Sequence, residues 1–437
     1  MVRPIYFMVP FWGKRYRERF VDLCLPSLFA PRNLPLVRQE DGHRFLIATT
    51  KEDWDAIQGL PIMARLARHA RPVWIEIDGT ESSSDAGASA LARYGATIRR
   101  QNDAQRKLVD AAYEGKAYGS LMFPDVIYSD GMVACLLESV AAGDHLVVSM
   151  ALRQTEETVV ADLGRRGLLP ADARLSETAA SLALAPRLAA QLAIEHLHPE
   201  ITPFEEGNPR RPFFHPFTYW RMSAGRGFIL HTFFAAPVLM DFAVLRADHA
   251  QCLDQSAFEN VYISSNFDMT HKTRIIRDTD EFTMLSLTPA AVNWSVFREP
   301  KRGWGANFRR ICSFHGSVRF FTGNKRNWLR QELFRCSIRW HGGELDEAWR
   351  EEEQRIEGTI DELWRSNSFI VRAVVAGFLR YEIVRTRVSI HRLIFEQIGL
   401  AIRGDAMACA RLRRGVRVFF HQIVNPNNEP SIARARR

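Results

Sequence analysis

Apolar residues in this chain come in short unbroken runs separated by stretches of helical period, and the clearest case is Asn102–Ala151. A helix is predicted from about Ala104 to Glu114, with Ala111 and Ala112 on a small-residue face and Gly115 as its stop signal. Ala117–Phe123 follows without polar alternation, the pattern of a strand covered on both faces. Pro124 ends it and leaves Asp125 at its carboxyl end. Val126–Ala142 places Met132, Val133, Leu136, Leu137 and Val140 at helical spacing, and Gly143-Asp144 turns the chain into another buried strand, His145–Ser149.

The same alternation precedes this stretch. Ile5–Val9 is predicted as a strand, Tyr16–Phe29 as an amphipathic helix, and Arg44–Ala48 as a second strand. Thr49 and Thr50 follow it, one of them capping the helix that starts at Lys51. Pro72–Ile77 is a third strand running into Asp78-Gly79-Thr80, and Ala96–Arg100 reads as a short strand. Strands alternating with helices predict an open, mostly parallel α/β sheet, whose ligands bind outside the carboxyl ends of the strands.

An alanine-containing helix, a glycine, a hydrophobic strand ending in Asp125, a leucine-bearing helix and a strand after Gly143-Asp144 resemble, in that order, the core of GT-A-fold glycosyltransferases, over roughly residues 4–150. The resemblance implies a GT-A-like, Rossmann-related fold followed by a C-terminal α-helical region. It also implies transfer of a sugar from a nucleotide diphosphate donor to a glycan or lipid-linked acceptor in cell-surface polysaccharide assembly. In such a protein Pro10, Phe11 and Trp12, in the loop after the first strand, lie against the base or ribose. Thr49 and Asp78 end the next strands on the nucleotide side, and Asp125 lies near the diphosphate. Arg99 or Arg100 and Arg153 are guanidinium forks suited to phosphate oxygens. The family usually carries Asp-x-Asp at this edge, two carboxylates that hold a metal against the diphosphate. Here the residues are Asp125-Val126-Ile127, with Asp130 five positions on, so dependence on manganese or magnesium is left open.

Downstream, Glu156–Leu197 is helical and alanine-rich, and His196-Leu-His198 fits a helix C-terminus better than a metal site, because the two rings point apart. Residues 201–220 are dense in proline and aromatic rings that suit stacking on sugar faces or packing as a hydrophobic lid. His231 sits in the apolar run Phe228–Phe234, after Gly225-Arg226-Gly227. Asp278-Thr279-Asp280, after Thr273–Arg277, is the one Asp-x-Asp that follows an apolar run, a candidate for chelating a hard cation or for a turn. Asp268, His231 and Asp280 are the candidates for a base or electrostatic partner beside Asp125.

Composition narrows the class. The chain has 437 residues, 46% hydrophobic and 25% charged, the balance of a globular protein with room for more than one domain. Its expected divisions are a donor domain over 1–155, acceptor-side segments over 156–300 and a basic helical region over 301–437. Six scattered cysteines without Cys-x-x-Cys spacing favour a reducing compartment. The opening residues read as a strand, not a signal peptide, and Gly227–Leu245 is interrupted by His231, Pro237 and Asp241, so a cytoplasmic location is expected. Residues 301–437 hold 26 Lys and Arg against 14 Asp and Glu, a net of +12, which leaves −4 on the first 300. Helices are expected over about 326–338, 344–366 and 369–424, then a basic tail. Such helices suit an anionic membrane surface, making the protein peripheral at the inner face, and no motif for specific nucleic-acid recognition accompanies them. The reading from another class is a non-catalytic α/β scaffold acting through this basic part.

Overall fold

The structure, a computed structural model, describes residues 3–78, 90–170, 174–209, 211–222, 227–254, 258–292, 306–322, 328–378 and 380. Gly79, Thr80, Gly225, Arg226, the junction 301–305 and the expected helices and tail beyond 380 lie outside them. Two compact units divide the chain, Met1–Asn367 and Ser368–Arg437; of the second, a helical segment over 369–378 is described.

Thirteen strands are described. In chain order they are β1 (Ile5–Pro10), β2 (Arg44–Thr49), β3 (Arg71–Glu76), β4 (Tyr118–Leu121), β5 (Val126–Tyr128), β6 (Leu146–Ser149) and β7 (Leu152–Thr155). Then follow β8 (Phe217–Arg221), β9 (Gly227–Thr232), β10 (Ala236–Asp241), β11 (Thr273–Ile275), β12 (Met284–Thr288) and β13 (Ile338–His341). Seven form one open sheet in the order β11-β6-β10-β4-β1-β2-β3. All are parallel except β10, which runs antiparallel to β4 and β6. The expected α/β class is therefore the observed one. From β1 the chain adds β2 and β3 on one side and then returns to place β4 on the other. The strand order reverses between β1 and β4, and in open sheets of this kind the crevice position for a ligand lies outside the carboxyl ends at that point.

Strand periodicity explains why both faces of this sheet are apolar. Phe7 and Val9 meet Phe45 and Ile47 on one side, while Tyr6 and Met8 meet Leu46 and Ala48 on the other. Each fully buried ring or aliphatic chain contributes about 1.5–3 kcal/mol of transfer free energy. Helix Ala90–Glu114 covers the second face through Ala104, Leu108, Val109 and Ala112. This helix corrects the strand expected at Ala96–Arg100: the β-branched pair Thr97-Ile98 favours a strand locally, but these residues belong to a single 25-residue helix. The helix expected from Val126 begins only at Met132; Val126–Tyr128 is strand β5, drawn into a second sheet by pairing with β12. Thr50, not Thr49, caps helix Lys51–Ile57 through the Asp53 N–H. Such a cap contributes about 1 kcal/mol.

β12 also pairs in parallel with β7, and β13-β9-β8 form a third sheet. Gly227 is required where β13 docks on β9, because a Cβ there would lie 2.0 Å from the Trp340 carbonyl oxygen. The predicted helices of the later chain are present as Trp328–Arg335 and Glu347–Arg365, joined by Ala306–Thr322. Among the described residues no helix is long and apolar enough to cross a membrane. The rings of residues 201–220 are used in packing: Phe204, Phe213 and Phe217 are buried, and Phe213 and Phe214 lie against Gly316 of helix Ala306–Thr322.

Candidate functional site

The crevice is built from the chain leaving β1 and the chain leaving β4. Pro10 and Phe11 are buried, with the Phe11 ring tilted against Phe20 at 5.0 Å, so Phe11 serves the core. Trp12 is half-buried, and the Arg100 guanidinium stands 5.6 Å from its ring centre. Gly13, at φ 84°, redirects the chain into helix Lys14–Arg19, and its N–H donates to Asp53 Oδ2 at 2.7 Å. Asp53 also takes Arg17 at 2.9 Å and the Thr50 hydroxyl at 2.9 Å, locking the β1 loop to the end of β2.

On the β4 side, the Phe123 N–H donates to the Tyr128 hydroxyl at 3.1 Å, and the Leu287 N–H donates to the Asp125 carbonyl at 2.8 Å. The second of these bonds fixes Asp125 at the junction of the large sheet with β12. Its side chain is partly exposed and, among the described residues, accepts only its own backbone N–H. Burial raises its pKa above the ordinary carboxylate value, while the charges of Arg153 and Arg15 work in the opposite direction. Both arginines are held. Arg15 donates to Glu156 Oε2 at 2.6 Å and Arg153 to the Thr288 hydroxyl at 3.3 Å. For Glu156 burial pushes the pKa up, but Arg15 and Arg19 outweigh it and hold the carboxylate ionised below its usual range. Asp125, its pKa raised, thus lies within electrostatic reach of two guanidiniums that bond to other partners.

Other residues picked from the sequence fall elsewhere. Asp78 is exposed at the end of β3, on the same edge as Trp12 and Asp125. Thr49 is fully buried, without a partner for its hydroxyl among the described residues, and its carbonyl accepts the Trp74 indole N–H at 3.1 Å. Asp130 is a turn anchor, accepting the Arg32 N–H at 2.7 Å ahead of helix Met132–Ala142. His231 is wholly enclosed in β9, with Nδ1 2.9 Å from the Phe334 carbonyl oxygen, and burial lowers its pKa to about 4. An acceptor hydroxyl cannot reach it there.

Asp268 lies before β11. Lys272, four residues on, bonds to His145 ahead of β6, which puts Asp268 at the amino edge of the sheet, opposite the crevice. It caps a local turn, accepting the Thr270 N–H and hydroxyl, and these bonds with His271 depress its pKa to about 2. As a partner for Asp125 in one reaction it is misplaced.

Asp278 and Asp280 follow β11 and meet a residue the sequence did not suggest, His341 at the end of β13. The donor atoms of the three lie within 4.8 Å of one another. His341 Nδ1 is 2.6 Å from the Gly343 carbonyl oxygen and Nε2 is 2.8 Å from Asp278 Oδ1, so both ring nitrogens face acceptors, as in an imidazolium. Burial works against that charge, but Asp278 outweighs it and raises the pKa. Arg187 donates to both oxygens of Asp280, at 2.8 and 2.9 Å, and also pairs with Glu344; Arg339 stands 3.6 Å from Asp278 and 2.8 Å from Glu353. This donor set fits a metal ion poorly, since cations of the chain already occupy it. The cluster precedes β12, while Asp125 joins that strand at Leu287, near its far end. A second set, Asp162, Glu195 and His196, is likewise engaged by Arg165 and Arg166. A cavity of about 390 Å³ lined by Arg339, Leu345 and Glu353 adjoins the first cluster and shares no residue with the crevice.

The structure thus brings Trp12, Arg100, Asp78, Asp125 and Arg153 to one edge, and adds Arg15 and Glu156. The basic run Lys14–Arg19 directly after the β1 loop was the signal for Arg15; nothing local marks His341. No family profile matches the chain, and no curated protein matches its sequence. Among solved structures it is similar to a Bacillus anthracis protein described as a glucose-1-phosphate thymidylyltransferase, in complex with sucrose, at 13% identity and a TM-score of 0.22. The similarity covers 36% of this chain and 57% of that one.

Proposed function

We propose that this protein is a glycosyltransferase that takes a sugar from a nucleotide diphosphate donor bound at the β1/β4 crevice. The observation that carries the proposal is Asp125, left without a fixed side-chain partner at the carboxyl edge of the sheet and flanked by Arg15 and Arg153. Two guanidiniums offset the charge that develops on a diphosphate leaving group, the task a divalent metal performs where two carboxylates are available. Asp125 takes a hydroxyl of the transferred sugar as its hydrogen-bond partner, and Trp12 and Asp78 lie on the nucleoside side. No step is assigned to manganese or magnesium, because Asp278-Thr279-Asp280 is closed by Arg187 and His341. The acceptor is a glycan or lipid-linked acceptor of cell-surface polysaccharide assembly, and the excess of basic residues after 365 supports a position at the inner face of the membrane. Specific nucleic-acid binding forms no part of this reading.

Nucleoside diphosphates and their sugars, screened with the full chain by melting temperature, test the proposal. A ligand at 100 times its Kd stabilises the native state by about 2.7 kcal/mol, a shift of a few degrees. Slow hydrolysis of the sugar donor accompanies binding and is lost in Asp125→Asn. If none of the diphosphates stabilises the protein, with or without manganese, the crevice is a scaffold feature and the transferase reading is wrong.

A further inference from the structure

The helix that leaves the β1 loop sorts its cations by face. In Lys14–Arg19 the arginines stand at 15, 17 and 19, and the helical period puts Arg15 and Arg19 on one side and Arg17 on another. Arg17 turns to Asp53 at 2.9 Å. Arg15 and Arg19 converge on a single acid, Glu156. Arg15 Nη2 donates to Oε2 at 2.6 Å, while Arg19 donates to Oε1 from Nε at 2.8 Å and from Nη2 as well. Glu156 is the first residue of helix Glu156–Arg165, directly after β7, where a helix N-terminus favours negative charge. Exposure differs across this bridge: the Glu156 side chain is 6% exposed, against 37% for Arg15 and 30% for Arg19.

An exposed guanidinium held by a buried acid is fixed on one side and open to solvent on the other. Among the described residues the hydrogen bond of the Arg15 guanidinium is the one to Glu156, made by one of its five N–H groups. Arg19 grips the same carboxylate with two donors, so Arg19 fixes the acid and the acid fixes Arg15. An unrestrained arginine loses rotamer freedom when an anion orders it, and one already ordered by a neighbour loses less. We propose that Glu156 is a positioning residue of the donor site, holding the Arg15 guanidinium in place for the diphosphate without touching the ligand itself. Arg153 leaves the same short stretch of chain three residues earlier, so one segment sets both cations. The inference rests on the transferase reading above and adds to it the residue that orders the cation. Charge alone argues the opposite: a carboxylate near a diphosphate repels it, and its removal tightens binding. The two effects differ in sign.

The experiment is calorimetric titration of the full chain with UDP, GDP, ADP and CDP, and with the four nucleosides as competitors, in wild type, Glu156→Gln, Glu156→Asp and Glu157→Gln. We expect Glu156→Gln to weaken the tightest-binding diphosphate about fivefold and to leave the affinity of its nucleoside unchanged. Glu156→Asp keeps the charge but falls one methylene short of the two guanidiniums, and it weakens the diphosphate as well; if Glu156→Gln does not fold, this variant carries the same test. Glu157→Gln makes the same charge change one residue on, where the side chain accepts the Ala290 N–H at 2.9 Å, and its diphosphate affinity is unchanged or higher. Unchanged or tighter diphosphate binding in Glu156→Gln overturns the inference alone and leaves the acid a counter-charge. Equal weakening of diphosphate and nucleoside also overturns it, because the acid then serves the fold of the β1 loop, and so does equal weakening in Glu157→Gln. Absence of diphosphate binding by wild type removes the transferase reading and this inference together.

Discussion

Two groups of acids in the first compact unit answer their surroundings in opposite ways. At the Asp278–Asp280–His341 cluster each carboxylate meets a named cation of the chain, and Asp278, buried in part, is nonetheless held below its usual pKa because His341 and Arg339 outweigh burial. At the β1/β4 crevice, Asp125 has guanidiniums nearby that are held by other partners, and burial moves its pKa up. The first arrangement is closed: it clasps the turn after β11 to β13 and to helix Pro186–Glu195. The second is open: no cation of the chain bonds to the Asp125 carboxylate among the described residues. An acid whose charge is left partly uncompensated at a sheet edge is the better functional candidate, even though the other pair has the more suggestive sequence.

This contrast can be attacked from its strongest consequence down. Asp125→Asn keeps the volume and removes the charge; donor turnover should fall about 100-fold or more, the scale of a lost polar group in a reacting site. Its melting temperature at neutral pH should be unchanged or higher. A carboxyl with a raised native pKa binds protons more tightly folded than unfolded, so its ionisation opposes folding as pH rises. An Asn variant of lower stability and full activity would reverse the two assignments.

Asp278→Ala should cost about 2–3 kcal/mol in urea unfolding, since it strands His341, which is 1% exposed, without its acceptor. Nucleotide affinity should be untouched, and a loss of donor binding in this variant would make the cluster part of the site. The smallest effect is in pH. The raised pKa of His341 means its contribution is fully present below the unfolded histidine value of ~6.5 and is lost as pH rises through the folded value. Unfolding midpoints should therefore decline on the alkaline side in wild type, and this component should vanish in Asp278→Ala. An identical slope in both proteins would assign it to another group.

Much of the scaffold was readable because its signals are local. The runs Ile5–Val9, Arg44–Ala48 and Ala117–Phe123 lack polar alternation and became β1, β2 and β4; Pro124 and Gly115 marked their boundaries where punctuation was expected. Ala96–Arg100 and Val126–Tyr128 were misread, because a five-residue window cannot show whether a distant partner such as β12 is available or whether a helix continues past it. The same limit explains the sites. Asp125 could be found because the end of a buried strand is a position in sequence. Asp280 and His231 drew attention through their neighbours in the chain, and only their neighbours in space, Arg187 and Phe334, reveal that they are occupied.

The order of strands, the acid closing β4 and the basic helix after β1 follow from residue pattern alone, since hydrophobic period and turn chemistry act over a few positions. Which acids are met by cations of the chain, and that His341 joins Asp278 from 63 positions away, were decided by packing. Charge compensation and desolvation depend on distances through space, and the order of residues in the chain does not encode those distances until the sheets have closed.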